Sequence, residues 1–139
     1  MPRFLVFGDD NVDALRPFLS TSVFHLETHN GITADLVVCT MMWEVEAMLN
    51  EDEKYDAVVV ILGINDLSNL SKINELVRRY SPQCLFVDLH SNPMPTQLPT
   101  IPVNLHPEWH FEPNGIHLNS RGARLVATNI RWKLHFIIL

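Results

Sequence analysis

Three short polar segments carry the side chains of this chain that are best suited to acid–base or nucleophilic chemistry. Residues 7–10 close the first apolar run, residues 63–66 close the most hydrophobic run, and residues 114–123 place His117 just ahead of a helical pattern. Polar turns that follow the strands of a parallel sheet lie at one edge of that sheet. We therefore expect the three segments to meet and to form a site.

The elements that must position these turns alternate between strand and helix patterns. Residues 57–62 (Ala-Val-Val-Val-Ile-Leu) form a β-branched run without alternation, which is typical of a strand buried on both faces of a parallel sheet. Other helical patterns lie after residue 9, at 35–50 and at about 73–80. Strands are predicted at 3–7, 23–26, 55–62 and 85–89, with a fifth considered near Val103. The alternation predicts an α/β fold, a three-layer α/β/α sandwich with a mostly parallel sheet of four to five strands.

Two of the helical patterns have a clear apolar face. In the first, Val12, Leu15 and Leu19 share a face, and Pro17 is expected to kink or shorten the helix. Either Asp9 or Asp10 is a candidate N-cap for this helix. The last helix is predicted to begin at an N-cap formed by Asn119 or Ser120 and to bury Ala123, Val126, Ala127, Ile130 and Leu134.

Composition narrows the class of protein. The 139 residues are 47% hydrophobic and 19% charged, which predicts one globular domain spanning residues 1–139. The net charge of -6 argues against a broad basic surface for nucleic acid. Two cysteines imply no disulfide framework, no apolar run reaches the roughly 20 residues of a membrane span, and no signal peptide is expected. We predict an intracellular protein, cytoplasmic or nuclear, that does not enter the membrane.

Four motifs in order resemble those of the SGNH (GDSL-type) hydrolases, serine esterases and lipases with a flavodoxin-like fold. Residues 7–10 (Phe-Gly-Asp-Asp) resemble that family's Gly-Asp-Ser block, and residues 30–33 resemble its glycine block. Residues 63–66 (Gly-Ile-Asn-Asp) and 114–117 (Asn-Gly-Ile-His) resemble its Gly-x-Asn-Asp and Asp-x-x-His blocks. Residues 55–59 and 117–123 are also similar to the esterase domains of some non-LTR retrotransposon proteins. The resemblance implies an SGNH-like domain over nearly the whole chain.

The departures from this family fall on its catalytic residues. Asp10 stands where the family has its nucleophilic serine, and Asn114 stands where it has the aspartate that orients the histidine. Of the implied triad, His117 alone is kept. A serine nucleophile needs an imidazole to take its proton and a carboxylate to hold that imidazole in the right tautomer. Asn114 can hydrogen-bond to His117 but carries no charge, so the resemblance implies a hydrolase fold that has lost hydrolysis.

The resemblance also implies oxyanion donors, which are the backbone of Asp10, Gly31 and the side chain of Asn65. An anionic carboxylate at position 10 would repel the oxyanion that these donors stabilise. Gly31, Gly63 and Asn65 are equally typical of ordinary turns. Asp10 has two further interpretations, as a helix cap or as an aspartate nucleophile whose intermediate His117 helps to hydrolyse. His117 is also consistent with a histidine bound only to a loop carbonyl.

Two other groups of residues are candidate binding sites. His90, His106 and His110 invite a metal, but Pro107 between the last two disfavours a helical ligand pair, and we expect no metal and no cofactor. On the last helix, Arg121, Arg124, Arg131 and His135 form a polar stripe that is by default solvated. Similar domains without catalysis, such as that of the insect germ-plasm protein Oskar, bind RNA, so the stripe is also a candidate contact for phosphates, with Trp109 and Trp132 as candidate neighbours.

These observations lead to one prediction of function and two alternatives. The predicted protein is a catalytically inactive SGNH-like domain, a pseudoenzyme that acts as a binding or protein-interaction module. The alternatives are an RNA-binding module that uses Arg121, Arg124 and Arg131, and a divergent esterase that uses His117 with Asp10. A protein partner or self-association through the apolar residues 136–139 is expected, RNA is possible, and the sequence leaves a small-molecule ligand open.

Overall fold

The structure, a computed structural model, contains a four-stranded sheet in which every strand pairs with its neighbours in parallel. It describes residues 3–28, 55–62, 84–89, 101, 103–115 and 117–138. The strand order is β2-β1-β3-β4. The strands are β1 (Phe4–Gly8), β2 (Phe24–Thr28), β3 (Ala57–Leu62) and β4 (Cys84–Asp88). The predicted α/β fold with parallel strands is confirmed.

The central strands are buried because their side chains are apolar on both faces. All five residues of β1 are buried, and Ala57 to Ile61 of β3 are buried as well. In the register of the sheet, Gly8 at the end of β1 pairs with Thr28 of β2 and with Ile61 of β3. The prediction from the β-branched run at 57–62 is therefore confirmed. β2 lies on one side of β1 and β3 on the other, so the chain reverses its direction of winding at β1.

Gly8 is required where β1 ends. A Cβ built on Gly8 would lie 2.5 Å from the carbonyl oxygen of Ile61 and 2.9 Å from its Cβ. Backbone atoms of the neighbouring strand cannot move aside as a flexible side chain can. The absence of a side chain at position 8 therefore lets the turn after β1 approach β3 closely.

The segment after β1 is two short helices instead of one. Helix α1 (Asn11–Ala14) ends before a 3-10 helix (Arg16–Phe18), which carries Pro17 in its first turn. Pro17 has no backbone N–H to continue the α-helical hydrogen bonds, so the predicted shortening is confirmed. Val12, Leu15 and Leu19 are buried as expected.

The last helix, α2 (Ser120–Ile138), has 19 residues and packs one face on the core. The five residues predicted to face inward are all buried, as their helical spacing requires. Asn119 precedes the helix, and its Oδ1 accepts a hydrogen bond from the backbone N–H of Gly122 at 2.8 Å. Asn119 is therefore the N-cap, one of the two residues predicted for this role.

Several predictions fall outside the described residues. They include the helices at 35–50 and 73–80 and the turns at 30–33 and 63–66. Around Val103, residues 101 and 103–106 are irregular, so the fifth strand considered there is not seen in them. Within the described ranges, no helix is both long and apolar enough to cross a membrane.

Candidate functional site

The turn that follows β1 gives its two aspartates different roles. Asp10 occupies the N-cap position of α1, but its side chain makes no capping hydrogen bond. The carboxylate of Asp9 instead accepts the backbone N–H of Asn11 at 3.0 Å. The interpretation of Asp10 as the side-chain cap is therefore wrong, because Asp9 already satisfies the N–H at the start of the helix. The Asp10 carboxylate is directed elsewhere.

Residues 111–115 and 117–118 belong to a small hairpin-like loop that carries His117. Phe111 and Leu118 form an antiparallel bridge. The N–H of Glu112 donates to the carbonyl of His117 at 2.7 Å, and the N–H of Gly115 donates to the carbonyl of Glu112 at 2.9 Å. Gly115 has a φ of +71°, a conformation that glycine adopts without strain. These backbone contacts fix the position of the histidine.

Asn11 joins this loop to the turn after β1. Its side chain is almost completely buried, with 2% exposure. The Oδ1 of Asn11 accepts the backbone N–H of Leu118 at 2.8 Å, across 107 residues of sequence. A buried N–H needs such a partner, and this bond places the residue after His117 directly against the residue after Asp10.

The result is a chain of three side chains with His117 at its centre. The Nε2 of His117 lies 3.4 Å from the Oδ2 of Asp10, and its Nδ1 lies 2.7 Å from the Nδ2 of Asn114. The side chains of Asp10 and His117 are each 44% exposed. The structure thus brings together the three residues that the sequence singled out as positions of a triad. The interpretation of His117 as bound only to a loop carbonyl is wrong.

The orientation of the Asn114 amide determines where the proton of His117 lies. The backbone N–H of His117 donates to the Oδ1 of Asn114 at 3.1 Å, so the amide oxygen faces the backbone and the NH₂ group faces the ring. An NH₂ group only donates, so Nδ1 of the ring must accept. The neutral imidazole therefore carries its proton on Nε2, which donates it to the Asp10 carboxylate.

This tautomer is the opposite of the one that a general base needs at this place. In a serine triad the acid partner accepts the Nδ1 proton, and Nε2 is left with a lone pair to take the proton of the nucleophile. Here Nε2 faces Asp10 and already holds a proton. The side chain at position 114 therefore decides which ring nitrogen can act as a base.

Asp9 contributes a second carboxyl group behind Asp10. Burial raises the pKa of Asp9 above its ordinary value, and the charge of Asp10 raises it further, while the hydrogen bonds from Asn11 and the charge of His117 oppose the shift. Asp9 is buried, with 8% exposure. Asp9 and Asp10 thus place two carboxyl groups near His117.

Asn11 was not identified from the sequence. Its signal was weak: a polar residue at the first helical position, between an acidic turn and the apolar Val12, resembles an ordinary exposed helix start. The predicted oxyanion positions Gly31, Gly63 and Asn65 lie outside the described residues. The Asp10 backbone, the remaining predicted donor, is at the start of α1.

The arginines of α2 are not equivalent. The guanidinium of Arg131 donates to the carbonyl of Phe18 and to the hydroxyl of Thr128. The guanidinium of Arg121 lies 5.7 Å from the centre of the Trp109 ring, which is 55% exposed. Arg124 lies over the ring of Phe18 at 5.5 Å. Its three arginines thus divide into one structural contact, Arg131, and two cation–π pairs, of which the one with Trp109 is exposed and the one with the half-buried Phe18 packs against the core.

Two of the candidate metal-ligand histidines, His106 and His110, make local hydrogen bonds and a stacking contact. The Nδ1 of His110 accepts the backbone N–H of His106 at 2.6 Å, and the Nδ1 of His106 accepts that of Glu108 at 3.2 Å. The His106 ring is stacked on Trp109 at 4.1 Å. In the part of the chain that the structure describes, no three histidine, cysteine or acidic side chains lie together as a metal site would require. His90 lies outside that part.

Comparisons with known proteins add no relative. No protein-family model matches this chain, and no curated protein or solved structure has significant similarity to it.

Proposed function

We propose that this chain is an SGNH-like domain that does not hydrolyse esters and acts as a binding or protein-interaction module. The observation that carries the proposal is the hydrogen-bonded chain from Asn114 through His117 to Asp10. The three residues stand in the order of the acid, base and nucleophile of a serine triad. An amide, however, replaces the acid, and a carboxylate replaces the nucleophile.

Two features explain the proposed inactivity: the proton on Nε2 of His117 and the absence of a negative charge at position 114. Nε2 of neutral His117 donates to Asp10, so it has no lone pair with which to accept the proton of an alcohol or of water at that place. Protonating His117 during a reaction would also place an N–H on Nδ1 against the NH₂ group of Asn114. A carboxylate at position 114 would stabilise the imidazolium, whereas an amide in this orientation opposes it.

The sheet supports the proposed fold family. The order β2-β1-β3-β4 is that of the first four strands in the flavodoxin-like order. In such sheets, sites lie beyond the carboxyl ends of the strands where the winding reverses, and Asp10 follows the carboxyl end of β1. The finer architecture, three layers with the helices at 35–50 and 73–80 on the sheet, is part of this proposal.

Ester hydrolysis tests the proposal most simply. We expect the unaltered protein to be inactive on a short-chain aryl ester and the double variant Asp10→Ser with Asn114→Asp to gain activity. The serine supplies a nucleophile, and the aspartate moves the ring proton to Nδ1. In the double variant, His117→Ala should then lower the rate by about 10²–10⁴, the usual contribution of a general base.

The single variants separate the two causes. Asp10→Ser keeps the amide at position 114 and should gain much less activity than the double variant, whereas Asn114→Asp has no serine and should remain inactive. Turnover by the unaltered protein that is lost in His117→Ala would overturn the proposal and favour Asp10 as a nucleophile. A folded but inactive double variant would argue against an SGNH-like site.

One observation favours a protein partner. Trp132, on the outer surface of α2, is 66% exposed, and large exposed aromatic side chains are enriched in protein interfaces. The helix continues to Ile138, into the apolar residues 136–138. If α2 mediates self-association, Trp132→Ala and deletion of 136–139 should each lower the mass in solution, while Trp109→Ala should not. A monomeric unaltered protein would exclude self-association.

RNA binding is a second candidate because Arg121 and Trp109 are exposed together. Guanidinium groups meet phosphates, and aromatic rings stack on bases. Under this alternative, Arg121→Glu weakens salt-sensitive RNA binding. Lys133→Glu is the matched control, because it makes the same charge change roughly 120° away around α2. Equal losses in the two variants would indicate a non-specific charge effect.

A further inference from the structure

We propose that Asn114 is a site of spontaneous deamidation, and that its conversion to aspartate places a proton on Nδ1 of His117, the nitrogen that accepts a hydrogen bond in the unaltered protein. The modification would change the chemistry of the site without any other protein. The proposal rests on the hydrogen bonds of His117 and on the residue that follows Asn114, and it does not depend on the proposed function.

The sequence around Asn114 suits the reaction. In deamidation, the backbone nitrogen of the next residue attacks the side-chain Cγ, a C–N bond forms, and the side-chain nitrogen leaves as ammonia with the proton of the attacking N–H. Water then opens the cyclic imide to give aspartate or isoaspartate. The next residue here is Gly115, which has no side chain to hinder the attack.

The structure leaves the attacking group accessible. Asn114 and Gly115 are both exposed, and no heavy atom beyond the two neighbouring residues lies within 4 Å of the place where a Cβ on Gly115 would stand. Two sets of hydrogen bonds must open first: the one that the N–H of Gly115 donates to the carbonyl of Glu112, and those that join the Asn114 amide to the ring and the backbone N–H of His117. We therefore expect the native protein to react more slowly than the unfolded chain, but to react.

Deamidation replaces the amide donor beside Nδ1 of His117 by a carboxylate acceptor, and this changes the protonation of the ring. Aspartate at position 114 has two oxygens and no donor. One oxygen can keep the bond from the His117 N–H, and the other then faces Nδ1, where the amide nitrogen lies 2.7 Å away at present. A carboxylate next to Nδ1 requires a proton on that nitrogen. Nε2 still faces the Asp10 carboxylate, so both ring nitrogens then have a carboxylate oxygen beside them as acceptor.

Mass spectrometry of the protein held in mildly alkaline buffer tests the first half of the proposal. We expect acid to accumulate at position 114 in the native protein, while Asn129, in the middle of α2, keeps its amide. A parallel sample in denaturant sets the time over which the unfolded chain converts. An amide at 114 that is fully retained in the native protein over that time would overturn the proposal.

Two variants supply the control for deamidation and the test of its effect on His117. Gly115→Ala adds a Cβ next to the attacking nitrogen and should abolish the conversion at 114 over the same period; equal conversion would show another mechanism and contradict the proposal. The encoded variant Asn114→Asp supplies the reference for the aspartate product. Side-chain ¹⁵N NMR should show a proton on Nδ1 of His117 in this variant and in the aspartate fraction of the aged protein, and an unprotonated Nδ1 would overturn the second half of the proposal.

Discussion

Replacing Asn11 by alanine should destabilise the protein more than its polar character suggests. Asn11 is 2% exposed, and its Oδ1 is the acceptor for the buried N–H of Leu118. Alanine leaves that N–H without this acceptor, which costs about 1–3 kcal/mol for a buried donor. Alanine also favours the helix over asparagine by up to about 0.7 kcal/mol. The net loss in the free energy of unfolding should centre near about 1.5 kcal/mol.

The assay is thermal or denaturant unfolding beside a matched control. A loss of this size lowers the midpoint of thermal unfolding by roughly 3–6 °C, at about 2–4 °C per kcal/mol for a protein near this size. Asn114→Ala is the control, since the Oδ1 of Asn114 also accepts a backbone N–H of the same loop, but at an exposed position. Water replaces that acceptor, so the control should change the stability by less than about 0.5 kcal/mol.

Two results would refute this reasoning. If Asn11→Ala and Asn114→Ala have equal effects, burial does not determine the cost of the lost acceptor. If Asn11→Ala is as stable as the unaltered protein, the bond to Leu118 does not hold the loop. The NMR signals of the His117 ring should also change in Asn11→Ala, because the bond positions Leu118, the residue next to His117.

Three further predictions concern stability. Gly122→Ala should lower the free energy of unfolding by about 1–3 kcal/mol, since its Cβ would collide with the backbone carbonyl oxygen of His110; the gain of about 1 kcal/mol usual for such a change in a helix would contradict the packing. Asn119→Ala should cost about 1–2 kcal/mol through loss of the N-cap, and Ser120→Ala, the adjacent control, much less. Asp9→Asn should stabilise the protein at neutral pH, with a gain that shrinks as the pH falls toward 3.8, the ordinary pKa; a gain that does not depend on pH would contradict the raised pKa of Asp9.

The sign of the Asp9 effect follows from the direction of its shift. A carboxyl group whose pKa is raised in the folded protein binds its proton more tightly there than in the unfolded chain. Its contribution to stability is therefore most favourable below the unfolded pKa and is lost as the pH rises through the folded pKa. Asparagine keeps an oxygen for the N–H of Asn11 but has no charge to bury.

The strands could be predicted from the sequence because their signal is local. An uninterrupted β-branched run needs burial on both faces, and this requirement is visible in residues 57–62 without knowledge of their neighbours. The inner face of α2 was predictable for the same reason, since its apolar spacing alone determines which residues point inward.

The details of the site were not predictable because they depend on distant partners. Asn11 is buried and its side chain is hydrogen-bonded to Leu118, and nothing adjacent to Asn11 in the sequence indicates this. The choice between Asp9 and Asp10 as the side-chain cap depends on backbone angles within one turn. Gly122 is needed because the carbonyl of His110 approaches the start of α2, a contact that the helical pattern does not contain.

The tautomer of His117 is the property that distinguishes an inactive site from a functional triad. Side-chain ¹⁵N NMR of the freshly prepared unaltered protein, with His117→Ala to assign the ring signals, measures it directly. We expect neutral His117 to carry its proton on Nε2, toward Asp10. A proton on Nδ1, with Nε2 unprotonated, would contradict the account, because His117 would then be poised to act as a base.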